Sequence, residues 1–490
     1  MGQQYKSILK ATSIFGGTQI LQILIGLARS KFIALLIGAT GMGLSSMYMS
    51  SLTMIITLFG LGINSSVVRD LSKAFNENDM ERFSTIIRVF RRILLILSAS
   101  GLLCVVLMSP LLSKWAFGST NKTLDYCYLS LIVYFTLLAQ GNDALLIGMR
   151  RIKVVAMCSL IGSVVTLTTS IPFFYFWGLK GIVPGLIIST IANYLVTYLY
   201  VRNIRLSGKH ITWKQIKSYG RPMVVLGVAM VLASLLGNVT TYLINVSITR
   251  LGGLADLGYF NAGISMTMQS VMLVFSAMSA DYFPRLVASL SDNEKMNATI
   301  NQQSEILLYL SVPLLSAMMI ASPLIITILL SSEFQVIQPF IRILCLGMLF
   351  KAVSYALGYV SFAKGDKKVY VFLEGLYGNV VNLGLSVGMY YLWGLAGLAY
   401  SFVVGYALYF IIITVVNQYR YHYRRSRTLT RQLAYSTLIL LFLLLLSYIL
   451  HGFIYYIASL SLLSIIIIYY LKKLNQKTEL FSYVRTKIGR

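Results

Sequence analysis

From residue 433 to residue 471 the chain contains no Lys, Arg, Asp or Glu, and only the pair His451-Gly452 interrupts the apolar run. Stretches of this kind set the limits of what the chain can fold into. One helical crossing of a bilayer takes about 17–25 apolar residues. Runs of that order fall near 10–37, 42–68, 86–109, 123–148, 154–177, 181–201, 222–249, 257–283, 306–330, 336–362, 369–393, 395–417, 433–450 and 453–471. Backbone polar groups in hydrocarbon must bond within their own segment, which leaves helices as the outcome for runs of this length. The sequence therefore predicts an all-α polytopic membrane protein of about 14 transmembrane helices. Charged residues agree: they are 11% of the chain, against about 25% in soluble domains.

The net charge of +26 could suggest nucleic acid, but its placement argues otherwise. Eight segments (Met1–Lys10, Arg69–Arg92, Arg150–Lys153, Arg202–Arg221, Arg285–Lys295, Lys364–Lys368, Arg420–Arg431 and Lys472–Arg490) hold 33 of the 41 Lys and Arg residues. They fall at alternate ends of the runs. By the positive-inside rule this is a topology signal, with both termini cytoplasmic, and no nucleic-acid partner is expected. The opening MGQQYKSILK leads into a run of spanning length without a clear cleavage site, so a cleaved signal peptide is not expected. Lys6 also stands where a myristoylation signal wants Ser or Thr. Cys104, Cys127, Cys158 and Cys345 sit singly in apolar segments, which indicates neither a disulfide framework nor a metal site.

The chain repeats itself. FWGLKGIVPG (Phe176–Gly185) lines up with LWGLAGLAYS (Leu392–Ser401) through Trp177/Trp393, Gly178/Gly394, Leu179/Leu395 and Gly181/Gly397. Upstream, Leu36/Leu251, Gly38/Gly253 and Gly43/Gly258 match in the same way. Six helices followed by six in the same orientation make a parallel repeat, an arrangement of alternating-access transporters with a site near the bilayer midplane. The expected domains are an N-terminal lobe (1–208), a pseudo-symmetric C-terminal lobe (209–420), and a helix pair with a basic cytoplasmic tail (421–490).

Charges inside the runs need an explanation. Lys351 lies about a dozen residues from either end of its run, roughly 18 Å at 1.5 Å per residue, too far for its stem to reach the interface. A charge at that depth costs about 2.5–3.5 kcal/mol. Ser354 and Tyr355, at i+3 and i+4, make its helical face polar. Thr18, Gln22 and Arg29 share a face of the first helix. Lys31 points the other way and suits snorkelling. Arg250 and Arg342, near outer helix ends, could rim a cavity or anchor at headgroups. Asn238 and Asn245 are polar positions of the seventh helix. Asp143 and Glu374 are the carboxylates weighed for H+ or Na+ coupling, although pairing with Arg150 or Arg151 is the preferred reading of Asp143, and Glu374 reads mainly as an interfacial charge.

The stretch Ile25–Ala74, with GLAR (Gly26–Arg29), the short turn LIGATGMG (Leu36–Gly43) and a long second helix ending in a charged loop, resembles the opening of the MOP exporter superfamily. The repeat extends the resemblance over about residues 8–418, and the last two helices fit fourteen-helix members. The resemblance implies a choice of cargo. Wzx-type members move undecaprenyl-diphosphate-linked oligosaccharide repeat units to the outer leaflet of the bacterial plasma (inner) membrane. MATE members expel cations, and others move lipid II. Deep basic residues outnumber deep acids, which favours an anionic headgroup. The reading is therefore a Wzx-type repeat-unit flippase serving O-antigen, capsule or exopolysaccharide assembly. The alternatives are a MATE-like cation-coupled exporter and a lipid II flippase.

The expected substrate-binding residues are Arg29, Lys351, Gln22, Arg250, Arg342 and Asn245, with Asp143 and Glu374 as ion-coupling candidates. The expected partners are the lipid-linked glycan, membrane lipids, and the polymerase and chain-length regulator of the same pathway. No cofactor, metal or catalytic residue is expected, because no acid pair, Ser/His set or metal cluster stands out. The first external connection is GATG (Gly38–Gly41), and no connection is long enough to fold as a soluble domain. An enzyme is therefore not expected.

Overall fold

The computed structural model describes residues 2–77, 79–204, 212–450 and 452–478. The basic tail after Thr478 and His451 lie outside the described residues, as do the side chains of the opening decapeptide. The helices are α1 (Gly2–Gly60), α2 (Ile63–Asn76), α3 (Met80–Phe117), α4 (Thr123–Gly148), α5 (Ile152–Trp177), α6 (Ile182–Val201), α7 (Trp213–Ser289), α8 (Asn293–Leu329), α9 (Gln338–Ala363), α10 (Lys367–Tyr370), α11 (Gly378–Tyr421), α12 (Arg427–Ile449) and α13 (Gly452–Thr478). A π-helical turn, Val371–Tyr377, joins α10 to α11.

Nine helical stretches among the described residues are long and apolar enough to cross a membrane. Three of them contain a glycine break and so hold two crossings each. The breaks are at Gly38 (φ 63°), Gly178 (φ 53°) and Gly394 (φ 58°). The two limbs of α7, divided at Gly253 (φ 89°), complete the fourteen expected from the sequence. The chain is a multi-pass all-α membrane protein, and its last apolar run is two helices.

The breaks follow the sequence repeat. Gly38 and its counterpart Gly253 both combine positive φ with ψ near 180°, at −167° and −179°. Gly178 and Gly394 share ψ values of −127° and −139°. A residue with a Cβ is strained at such angles, so glycine here turns a continuing helix into two limbs at little cost. Five residues after each upstream break a second glycine permits close backbone approach. A Cβ on Gly43 would sit 1.8 Å from the Leu254 carbonyl oxygen, and one on Gly258 would sit 2.0 Å from that of Ala39. Three residues after each downstream break the same happens. A Cβ on Gly181 or Gly397 would fall 2.0 Å or 1.9 Å from the carbonyl of Phe173 or Met389.

The chain forms two compact units, Met1–Gly258 and Tyr259–Arg490, so the division falls inside α7. In the first unit α3 packs on α4, and α5 on α6 and on α1. The first limb of α7 belongs to this unit: Asn238 Nδ2 donates to Thr57 Oγ1 at 2.7 Å, and Gly227 meets Gly62 backbone to backbone. In the second unit α9 is the central helix, packed against α8 and α11 and buried over most of its length.

The C-terminal pair α12 and α13 rests on α8. Glu305, whose side chain is only 4% exposed, pairs with Lys477 Nζ at 3.0 Å and accepts from the Ser426 hydroxyl at 3.3 Å. Removing one partner of a buried charge leaves the other unsatisfied, so this clip ties α13 to α8. Asp366, between α9 and α10, caps α10 through the Val369 amide and pairs with Arg420 Nε at 2.6 Å. The Arg420 hydrogen bond, with help from Val369 and Tyr421, holds the Asp366 carboxyl below the usual carboxylate range.

Two outcomes follow from the fold. Gly181→Ala and Gly397→Ala force a Cβ onto a carbonyl and should each cost about 1–3 kcal/mol, the overpacking range. Gly384→Ala, with nothing within 4 Å, should not, as thermal unfolding of the purified protein in detergent would read. The Asp366–Arg420 contribution should be complete above about pH 4, the ordinary aspartate value, and fall away as pH drops through the depressed value. Arg420→Ala should bring the Asp366 titration, followed by carboxyl NMR or infrared difference spectra, back toward the ordinary value.

Candidate functional site

Each unit contains a polar cavity, and the same helix periodicity builds both. In the first unit, α1 supplies Gln22, Ile25, Gly26 and Arg29, spaced i, i+3, i+4 and i+7. Helix α5 supplies Cys158, Ser159, Gly162, Ser163 and Thr166, again one stripe. Asp143 comes from α4, and Asn193 and Thr197 come from α6, one turn apart. The resulting space is about 400 Å³. Gly162 is small for a reason: a Cβ there would lie 2.1 Å from Asn193 Oδ1.

Two charges face this space. Arg29 Nε is buried without a hydrogen-bond partner, and Asp143 Oδ1 likewise. Neither residue forms an ion pair among the described residues, so Asp143 is not consumed by Arg150 or Arg151. A buried donor or acceptor without a partner costs about 1–3 kcal/mol unless water or a ligand takes its place. Both residues line the cavity, each with a buried polar atom left unpaired.

In the second unit, α9 presents Lys351, Ser354, Tyr355, Gly358, Tyr359 and Phe362, spaced i, i+3, i+4, i+7, i+8 and i+11. The opposing wall runs through Tyr370, Glu374, Tyr377 and Asn382, and the second limb of α11 adds Ser401, Phe402, Tyr406 and Tyr409. The cavity holds about 620 Å³. Lys351 Nζ lies 5.0 Å from the Tyr406 ring centroid and 3.2 Å from Met268 Sδ. A thioether and a ring face are weak partners for an ammonium, and no carboxylate comes within ion-pair distance among the described residues. Glu374 accepts a hydrogen bond from the Tyr409 hydroxyl.

Glu374 sits in the π-helical turn, where the ordinary i to i−4 bonds are lost. Asn379 Nδ2 donates to the Glu374 carbonyl at 3.3 Å and to the Gly375 carbonyl at 2.5 Å, bracing the end of the turn. Single π-turns inside helices are rare and frequent at functional sites.

Of the residues expected from the sequence, Arg29, Gln22 and Asp143 come together in one cavity, and Lys351 and Glu374 in the other. Arg250, Arg342 and Asn245 line neither. Arg250 Nε donates to the Trp115 carbonyl at 3.0 Å and its Nη2 reaches the Lys114 carbonyl, so the guanidinium covers the C-terminus of α3. A cation there is favoured by the helix dipole. Arg342 lies 5.2 Å over the Tyr455 ring and bonds the Met319 carbonyl at 3.4 Å. Asn245 is buried, its Oδ1 without a partner.

Sequence reading did not single out the α5 stripe, the α6 pair, the Glu374–Tyr409 bond or the aromatic wall. Part of this was visible. Applying the offset of 216 residues that relates Gly178 to Gly394 pairs Cys158 with Glu374, Gly162 with Gly378, and Asn193 with Tyr409. All six line the cavities.

A model of the polysaccharide biosynthesis protein family matches residues 8–290, more than half of the chain. The chain belongs to that family. Solved structures give the fold of this family member. It is similar to the lipid II flippase MurJ in an inward closed conformation, with TM-score 0.71, 15% identity, and 94% of this chain and 98% of that one covered. It is also similar to an inward-facing multidrug resistance MATE transporter of the MOP superfamily, with TM-score 0.69, 15% identity and coverage of 81% and 94%. A MOP superfamily transporter from Pyrococcus furiosus Vc1 with a binding pocket of reverse polarity matches with TM-score 0.56, 14% identity and coverage of 84% and 95%. No curated protein sequence matches. The family member thus has the MOP-type fold.

Asn379→Leu removes the donor to the Glu374 and Gly375 carbonyls. It should lower stability by about 1 kcal/mol, the net worth of a typical hydrogen bond. Denaturation in detergent would read the loss, and Gly388→Ala, at a position with nothing within 4 Å, should leave stability unchanged.

Proposed function

We propose that the protein is a flippase that moves undecaprenyl-diphosphate-linked oligosaccharide repeat units by alternating access. Transport runs from the cytoplasmic to the periplasmic leaflet of the bacterial plasma membrane, with both termini in the cytoplasm, and serves O-antigen, capsule or exopolysaccharide assembly. The observation that carries this reading is a cation in each polar cavity without an ion-pair partner among the described residues: Arg29 in one, Lys351 in the other. A diphosphate carries at least two negative charges. A unit-charge contact at 4 Å is worth about 4 kcal/mol at an effective dielectric of 20, which offsets the cost of keeping a cation within the membrane. Membership in a polysaccharide biosynthesis family supports glycan as the cargo. On this reading the polymerase and chain-length regulator of the pathway receive the product, and the polyprenyl tail stays in lipid.

The carboxylates favour coupling to protons or sodium. Each cavity pairs one base with one acid, Arg29 with Asp143 and Lys351 with Glu374. Protonating the acid raises the cavity's charge by one unit and strengthens its hold on an anion. The same carboxylates are what a cation exporter would use. Asp143→Asn and Glu374→Gln therefore discriminate between the readings. In a flippase they should leave binding of a diphosphate lipid intact or tighter, and in a cation exporter they should abolish cargo binding.

Arg29→Ala and Lys351→Ala should each reduce surface polysaccharide at least tenfold in a strain lacking the native gene, with the protein still present in the membrane. Arg29→Lys and Lys351→Arg should retain part of the activity. Normal complementation by both alanine variants would refute the assigned roles.

A further inference from the structure

The two cavities occupy repeat-related positions, yet their linings differ in kind. Among the described residues no aromatic side chain lines the first. Six tyrosines line the second: Tyr355, Tyr359, Tyr370, Tyr377, Tyr406 and Tyr409. At one repeat-related position an amide, Asn193, is replaced by Tyr409, and at another a thiol, Cys158, is replaced by the carboxylate of Glu374. Tyrosine is common at bilayer interfaces, but these six surround a cavity that also contains a deep lysine.

Three of the rings are held by neighbouring rings. Tyr355 stacks on Phe275 at 4.5 Å with 12° between the planes, and Tyr359 meets Tyr355 edge to face at 5.2 Å. Tyr370 lies 5.6 Å from Phe362. Tyr377 has neither a ring contact nor a side-chain hydrogen bond among the described residues, so both its face and its hydroxyl are open to the cavity. Among the polar groups, Glu374 Oε1 takes the Tyr409 hydrogen bond and Asn382 Oδ1 accepts from Ser386 at 3.2 Å. Glu374 Oε2 and the Asn382 amide nitrogen have no hydrogen-bond partner among the described residues.

We infer that the cavity of the second unit is a carbohydrate-binding site, in which tyrosine faces stack on a pyranose ring while Glu374 and Asn382 bond its hydroxyls. A pyranose has C–H bonds across its faces and hydroxyls around its rim. Its complement is therefore an apolar, polarisable face bordered by a fixed acceptor and a fixed donor. Tyrosine provides such a face with a polar tip and few rotatable bonds. A carboxylate accepts only, and an amide nitrogen donates only, so Glu374 and Asn382 discriminate the positions of hydroxyls. The volume lies within the range of small-molecule sites, about 300–1,000 Å³. Lys351, over Tyr406, marks the phosphate end. The first cavity, with Arg29 and small hydroxyls, has no stacking surface among the described residues.

This inference rests on the flippase reading, and the experiment separates the two. Full-length protein in nanodiscs is titrated with undecaprenyl diphosphate and with the same lipid bearing one N-acetylhexosamine or one hexose. The wild type should bind at least one sugar-bearing probe tenfold or more tighter than the bare lipid. Tyr377→Leu and Asn382→Ala should bring that ratio near one and change bare-lipid affinity less than twofold. Tyr377→Phe, which keeps the ring, should preserve the ratio. Bare-lipid binding with a wild-type ratio of one, or a ratio that survives Tyr377→Leu and Asn382→Ala, overturns the sugar site and leaves the flippase reading standing. Failure of every lipid probe to bind overturns both.

Discussion

Hydrocarbon does not solvate an ion, and most of what is distinctive in this molecule answers that constraint. Arg29 and Lys351 are kept inside a membrane protein without an ion pair among the described residues. Their tolerance depends on hydrated space, and hydrated space between helices depends on small or polar residues at helical spacing. Gly26, Gly162, Ser159 and Ser163 open the first cavity. Gly358, Gly378 and Gly405 do the same in the second. The aromatic side chains of the second cavity then fill only part of what the glycines open.

Glycine also explains how one chain makes two similar units from dissimilar residues. Identity between the halves is sparse, but it is retained where backbone geometry admits no other residue: positive φ at Gly38, Gly253, Gly178 and Gly394, and carbonyl contact at Gly43, Gly258, Gly181 and Gly397. Elsewhere the side chains are free to diverge. That freedom lets the two cavities occupy corresponding places while one becomes a small polar niche and the other an aromatic one.

How far the sequence could be read depended on the range of the interactions involved. Fourteen crossings were legible because hydropathy and length decide them locally, and the break near Gly452 proved to separate two helices. The polar stripe through Gln22 and Arg29 and that through Lys351, Ser354 and Tyr355 were legible because helical spacing is local too. The positions of Arg250 and Arg342 were not, since their partners, the Trp115 carbonyl and the Tyr455 ring, lie far away in sequence. Glu374 was noticed as a charge, but nothing in VFLEGLY announces a π-turn. Its support, Asn379, acts through the Glu374 and Gly375 carbonyls, a contact made only in the folded helix.

That turn has a mechanical side. A π-turn accommodates about one residue more than an α-turn, and each α-helical residue advances the azimuth by about 100°. If Val371–Tyr377 tightened into regular α-helix, the side chains on one flank would rotate by that angle relative to the other. Glu374 and Tyr377 would leave their wall while Asn382 kept its place. Passing between the two turn types would thus exchange which groups line the chamber without unfolding the helix.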